Sequence, residues 1–272
     1  MIKRILKGIV ILIMITIQIF LLDPRIFKGK KFLRDVPVAE KGRLNLSEWN
    51  FLKNGHVRLN GEWEFYDNEI LTPKDFKQER YKKNNSIKYV NIPSIRKKNT
   101  DNESILNKGI GTYRLVVKIK PSKEVFGMKV GNIKTSNKLY INEALQGSSG
   151  NPAEKSNGYS PRNAPYSTYF NIQGDEIEII LQTANHEYFF GEIPYEINFG
   201  LKKDIKFITI STSSLELTAA VLLILLAIYH INIYLMMKSD KSFLYLSICF
   251  LMFSIIFLLS GEKLLLQAFP SI

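Results

Sequence analysis

Cysteine is almost missing from this 272-residue chain: there is one, Cys249. It stands inside an apolar run, so no intramolecular disulfide can form and a disulfide-stapled secreted module is excluded. Histidine is nearly as scarce. His56, His186 and His230 lie far apart, which gives no zinc-ligand spacing. The usual catalytic words are missing too, with no Gly-x-Ser-x-Gly, no phosphate-binding loop and no His-Glu-x-x-His. Charge is missing locally. Charged residues make up 23% of the chain, yet Leu217 to Met237 and Ser242 to Gly261 contain none, and Ile5 to Leu22 contains only Lys7. About 20 apolar residues, rising 1.5 Å each, cross a hydrocarbon core. A purely soluble enzyme and a disordered chain are both excluded. No catalytic residue, metal or cofactor is expected.

What is abundant is lysine. The 37 basic residues outnumber the 25 acidic ones, for a net charge of +12. A basic surface suits nucleic acid, an anionic wall or lipid headgroups. Here the lysines are scattered among isoleucine and asparagine, as AT-rich coding produces. No arginine stripe or aromatic RNA-binding motif accompanies them, so nucleic acid is not an expected partner.

The apolar runs set an expected topology. Lys3, Arg4 and Lys7 precede the first run, which ends in Gln18-Ile19-Phe20-Leu21-Leu22 without the small residues of a cleavage site. Residues 1–25 therefore read as a retained anchor rather than a cleaved signal peptide. A second span lies within Ser211 to Met237 and a third from Phe243 to Leu259. The turn Lys238-Ser239-Asp240-Lys241 joins them as an antiparallel hairpin, and its lysines place it in the cytoplasm. Residues 26–205 then lie outside, on a multi-pass chain in a cell membrane. Glu216 falls near the outer end of the second span and is expected to reach water. Gly261 to Pro270 reads as a loop leading onward, which leaves two expectations for 206–272: part of a natural, minimal protein, or the front part of a larger polytopic one.

Strand signals dominate residues 26–205. His56 to Phe65 reads as one strand around Gly61. Tyr113, Leu115, Val117 and Ile119 share a face, and further strands are expected at 127–130, 138–141, 167–170, 176–181 and 195–199. Asn142-Glu143 suits a turn. Thr72-Pro73 opens a short helix, and Ser47-Glu48-Trp49 a brief turn. Many short strands with polar turns imply a sandwich, most simply a mainly β jelly roll. Gly147 to Pro165 reads as a long loop, either a binding edge or a plain connection.

Several residues are candidates for ligand contact. Trp63 and Phe65 share a strand face, which suits core packing or a stacking platform for sugar rings. Tyr66 faces the other way. Arg114 can fork onto a ligand, or onto an acid such as Glu62 or Glu64. Asn185, His186, Glu187 and Tyr188 offer donors, acceptors and rings at a strand end. Glu62 and Glu64 share a strand face, which by itself does not make a glycosidase pair across a cleft.

The words of this region also recur in a known order. They are Leu46-Ser47-Glu48-Trp49, Val57 to Tyr66 with its Gly-Glu-Trp-Glu-Phe-Tyr core, Ile70 to Phe76, Val90-Asn91-Ile92-Pro93-Ser94, Gly111-Thr112-Tyr113-Arg114-Leu115, Leu139-Tyr140-Ile141-Asn142 and Gly191 to Gly200. Together they resemble the extracellular module of bacterial seven-transmembrane receptors with diverse intracellular signalling modules. Ala227-Ile228-Tyr229-His230 and Lys241 to Leu246 resemble that family's first helices. The resemblance covers residues 44 to 270. It implies a galactose-binding-like extracellular jelly roll followed by a seven-helix membrane unit, of which about two helices are present here. With the anchor at 1–25 the expected chain has three transmembrane α-helices, and 206–272 is the start of a truncated seven-helix unit. It implies a sensor whose ligand is a carbohydrate or another small molecule, read out by a shift of the domain against the Ser211 end of the second span. The output, a histidine kinase or cyclase, would be a downstream partner. An alternative is a membrane-anchored, glycoside hydrolase-associated binding module.

Overall fold

The computed structural model describes residues 36–79, 87–93, 109–133, 136–154, 158–186, 197–238 and 240–269. The expected anchor at 1–25 lies outside the described residues. Pro37–Ile272 forms one compact unit, separate from Met1–Val36, and the description below concerns that unit.

Its larger part is a sandwich of two sheets. The first sheet contains β1 (Arg43–Leu46), β3 (Gly61–Asp67), β4 (Lys88–Ile92), β5 (Gly109–Ile119), β7 (Ser136–Ile141), β8 (Ala144–Ser149) and β10 (Glu176–Asn185). Its order is β4-β3-β5-β10-β7-β8. β3 pairs with the first half of β5, at Gly111 to Arg114, and β1 pairs in parallel with the second half, at Val116 to Ile119. The second sheet contains β2 (Val57–Arg58), β6 (Val125–Val130), β9 (Tyr166–Asn171) and β11 (Asn198–Leu201), in the order β2-β11-β6-β9. From β5 to β7, and again from β8 to β11, consecutive strands lie in opposite sheets.

The alternation read from sequence points into that core. Tyr113, Leu115, Val117 and Ile119 are buried, with Ile177, Ile179 and Leu181 beside them on β10. From the other sheet come Phe126, Met128, Phe170 and Phe199, whose rings stack at 5.4 Å for Phe126–Phe199. Trp63 and Phe65 belong to the same core, and the Trp63 indole nitrogen donates to the Leu59 carbonyl at 3.1 Å. Side chains two residues apart share a sheet face, which is why one register sends this whole set inward.

Three local expectations are corrected. His56 to Phe65 is two strands, β2 and β3, in opposite sheets. The chain crosses between them at Leu59-Asn60, and Gly61 takes φ 117°, where a Cβ would lie 2.3 Å from the Ala39 carbonyl oxygen. Gly147 to Ser149 belongs to β8, because its backbone pairs with Asn137 to Leu139, so the long loop starts only at Gly150. A short helix not anticipated, α1 (Phe51–Asn54), follows the Trp49 turn. Asn50 caps it by accepting from the Leu52 and Lys53 amides. The expected Thr72-Pro73 start does open α2 (Pro73–Lys77), with Asp75 accepting from the Thr72 amide and hydroxyl.

The sandwich runs into the helices without a linker. Leu201 ends β11 and is followed directly by α3 (Lys202–Met237). The helix thus starts well before the expected span, and a boundary at 205/206 would fall inside it. α4 (Ser242–Leu259) returns antiparallel, and a short α5 (Leu264–Ala268) follows. Between the helices Ala219, Ala220, Leu223 and Ala227 meet Ser247, Phe250 and Ser254, all buried. Small residues let the two backbones approach closely, and the Ser254 hydroxyl donates to the Ala220 carbonyl at 3.2 Å. Most other apolar side chains on the hairpin are exposed, among them Leu217, Leu222, Leu225, Tyr229, Met252 and Ile256. Both helices are long and apolar enough to cross a membrane.

Replacement of Gly61 by valine is expected to cost about 1–3 kcal/mol, through φ strain and the clash with the β1 approach. Chemical unfolding of the detergent-solubilised chain, followed by the emission of buried Trp63, measures this. An unchanged midpoint would contradict the crossover geometry.

Candidate functional site

The outer face of the larger sheet carries the first cluster. Arg114 stands directly opposite Glu64 in the β3–β5 pairing; on its other side Ile180 of β10 is opposite, and Glu178 lies two residues along, on the same face. The guanidinium donates from Nε to Glu178 at 2.6 Å and from a terminal nitrogen to Glu64 at 2.9 Å. Its carbon sits 5.0 Å from the centre of the Phe76 ring on α2. The Tyr66 hydroxyl donates to the same Glu64 carboxylate at 2.8 Å. Burial disfavours the Arg114 charge, but the hydrogen bond to Glu178 and the charge of and bond to Glu64 outweigh it. Together they hold the guanidinium pKa above the ordinary arginine value.

Tyr66 is 1% exposed. It packs with Leu71, Phe76 and Ile180 in a small second core under α2. The covering segment is pinned to the sheet by two polar side chains that sequence reasoning passed over. The Thr112 hydroxyl donates to the Glu69 carbonyl and accepts from the Leu71 amide, and the Gln182 amide donates to the Leu71 carbonyl. Of the two acids weighed as partners for Arg114, Glu64 is the one used. Glu62 accepts from the Lys41 amide instead. Glu178 lies between Ile177 and Ile179 on β10, whose side chains are buried in the core. Its ion pair depends on a strand neighbour 64 residues away.

Asn185 and His186 lie at the other end of β10, where Asn185 pairs with Gly109. Tyr66 and Arg114 therefore do not share a site with them. Asn185 is buried. His186 donates from Nε2 to the Ala153 carbonyl at 2.9 Å, and its ring meets Tyr159 edge-on at 4.7 Å. Glu187 and Tyr188 lie outside the described residues. Below this rim the Tyr166 hydroxyl donates to Asn137 at 2.8 Å, and burial raises the Tyr166 pKa, so it stays a donor. Ser149, opposite Asn137, holds the Arg162 carbonyl and the Ala164 amide on either side of Asn163. The Asn137 amide nitrogen and the Asn163 carbonyl oxygen are buried and meet no protein partner there. Asn137 and Ser149 are thus buried beneath the half-buried Tyr159, Tyr166 and His186, a donor and acceptor mixture of the kind that suits a hydroxyl-rich ligand.

Two open grooves, of about 330 Å³ each, lie elsewhere on the sandwich. One is lined by Trp49, Phe51, Lys120, Ser122 and Glu124, the other by Glu40, Arg43, Asn45, Lys118 and Glu176. Among the described residues no group of His, Cys, Asp and Glu is placed to hold a metal ion.

No family model matches the sequence, and neither does any curated protein. Solved structures are similar to part of the chain. A β-glucuronidase from an uncultured Clostridium matches 54% of this chain and 28% of its own, with 13% identity and a TM-score of 0.38. A putative β-galactosidase from Bacteroides fragilis matches 54% of this chain and 23% of its own, with 15% identity and a TM-score of 0.38. A GH2 β-galacturonidase from Eisenbergiella tayi bound to galacturonate matches 53% and 24%, with 10% identity and a TM-score of 0.36. The matched part thus spans about a quarter of each of those chains.

Replacing Arg114 with methionine leaves Glu64 and Glu178 facing each other without a cation. A stability loss of about 2–3 kcal/mol is expected, with a smaller loss for Arg114→Lys, which keeps the charge but not the planar fork. Denaturant titration of the three proteins checks this. Equal stability of the methionine variant would show that the cluster is not structural.

Proposed function

We propose that this chain is a membrane-attached binding module, with an extracellular β-sandwich that takes up a carbohydrate-like or other small polar ligand beside the bilayer. The observation that carries the attachment is the unbroken passage from β11 into α3. The helix has 36 residues. Its first turns lie on the sandwich, and from Glu216 to Lys238 it extends about 33 Å at 1.5 Å per residue. The hydrocarbon core is about 30 Å thick. A helix whose apolar side chains stay exposed on every side that α4 does not cover needs lipid rather than water around it.

The ligand end of the proposal rests on the rim around His186, Tyr159 and Asn137, where neutral donors and acceptors gather. The Arg114 cluster is a poorer candidate, because each of its charges already has a partner and a ligand would have to break them. In this reading the Lys238–Lys241 turn is cytoplasmic and the sandwich extracellular, as the lysines of the turn favour.

Two wider readings share this core. The receptor reading adds a signalling output and rests on the resemblance of sequence words to the seven-transmembrane family. The glycosidase-associated reading adds no output, and the solved chains named above are glycosidases. Attachment and binding are common to both.

Flotation of the purified chain with lipid vesicles tests attachment. It should rise with the lipid fraction even in high salt, and recovery in the soluble fraction would remove the proposal. A thermal-shift screen against mono- and oligosaccharides tests binding, since a ligand selective for the folded state raises the melting temperature. A stabilising sugar is expected to lose most of its shift in His186→Ala while keeping it in Arg114→Lys. The reverse pattern would place the ligand on the outer face instead.

A further inference from the structure

The outer face of the smaller sheet holds a charge where a strand facing solvent would leave it exposed. Lys129 on β6 points away from the core, since its neighbours Met128 and Val130 point in. Yet its side chain is 8% exposed, because α3 and the segment after α4 cover it. Its ammonium pairs with Glu262, whose side chain is 10% exposed, and donates to the Thr212 hydroxyl at 3.0 Å. Thr212 in turn donates to Glu262 at 2.8 Å. The Glu262 amide donates to the Glu216 carboxylate at 2.9 Å, so Glu216 is tied into the joint rather than simply hydrated. Gly261 makes that approach possible: its φ is 47°, and a Cβ would lie 2.0 Å from a Glu216 oxygen. Asn132, just past β6, donates to the Gly261 carbonyl at 2.7 Å. Ser167 meets Thr209 at 2.8 Å, and Lys202 lies over the Tyr169 ring. Three pieces of chain far apart in sequence thus meet at one lysine: β6, the α3 turn at Thr212 to Glu216, and the loop after α4.

We propose that this joint is a two-state latch, through which the sandwich docks on or releases the helix hairpin. The physical reason is the cost of desolvation. Taking Lys129 and Glu262 out of water costs about as much as their attraction returns, so a buried ion pair specifies a geometry more than it stabilises it. Undocking returns both charges to water. The ion pair itself therefore does little to separate the docked and released states in energy, and a ligand with unequal affinity for the two shifts the balance. An apolar pair at the same positions has no charge to rehydrate and holds the docked state. A single charge left without its partner favours release.

The inference rests on the proposed attachment only for the position of the hairpin in lipid. Flotation reports on attachment separately, so the two can fail independently. The test is a distance measurement between two spin labels on the full chain in nanodiscs. One label goes on the native Cys249, the chain's single cysteine, which is exposed on α4. The other goes on exposed Ser148 of β8 after Ser148→Cys. Lys129→Met or Glu262→Gln should raise the population of longer distances at least threefold over the parent chain. The Lys129→Met, Glu262→Leu double variant should return to a single docked distance. Unchanged distances in the single variants, or release in the double variant as in the singles, would overturn the latch. If a single variant loses the emission of buried Trp63, the charge-swapped pair Lys129→Glu, Glu262→Lys replaces it. That pair should dock as the parent does, and its release would count against the proposal.

Discussion

The fold depends on one constraint: the helix that leaves β11 must meet two different surroundings along its length. Over its first turns a sheet covers one side, and Ile205 is completely buried there. Beyond Glu216 most of its side chains find no protein to pack on except α4. A single 36-residue helix without a break can serve both only if the sheet ends where the uncharged, exposed length of the helix begins. The polar groups mark that transition. Thr209, Thr212, Glu216 and Glu262 all lie on the sandwich side, and the span beyond carries no formal charge until Lys238.

Within the sandwich, buried and half-buried polar groups are grouped rather than scattered. Glu64, Arg114, Glu178 and Tyr66 form one set on the outer face of the larger sheet. Asn137, Ser149, Asn163 and Tyr166 form another at the rim. A buried charge is tolerated when opposite charges and hydrogen-bond donors converge on it. The first set is closed in this sense, because each carboxylate accepts from the same guanidinium. The rim set is less complete, since the Asn137 amide nitrogen and the Asn163 amide oxygen meet no protein partner.

The direct junction also has a mechanical consequence. With no loop between Leu201 and Lys202, a tilt of β11 tilts the start of α3. β11 lies between β2 and β6, so its orientation is shared with the whole smaller sheet. A flexible linker would lose such a movement at the first glycine.

Much of this was readable in the chain itself. The period-two alternation at Tyr113 to Ile119 and at Ile177 to Ile179 named the core face, because a strand sends alternate residues to opposite sides. The two uncharged runs marked both apolar helices, since no water-facing helix surface lacks charge for so long. The pairing of Arg114 with Glu64 was legible as one of a few options, from the Glu-Trp-Glu and Tyr-Arg-Leu alternation. Other features were decided only by tertiary structure. Nothing local distinguishes Lys129 from a solvated strand lysine, because its burial comes from Thr212 and from Glu262, 133 residues away. Glu178 finds Arg114, and Thr112 and Gln182 find the α2 segment, for the same reason. Sequence patterning records which face of an element is apolar, whereas the partner of a buried polar group is set by which distant strand or helix the fold brings against it.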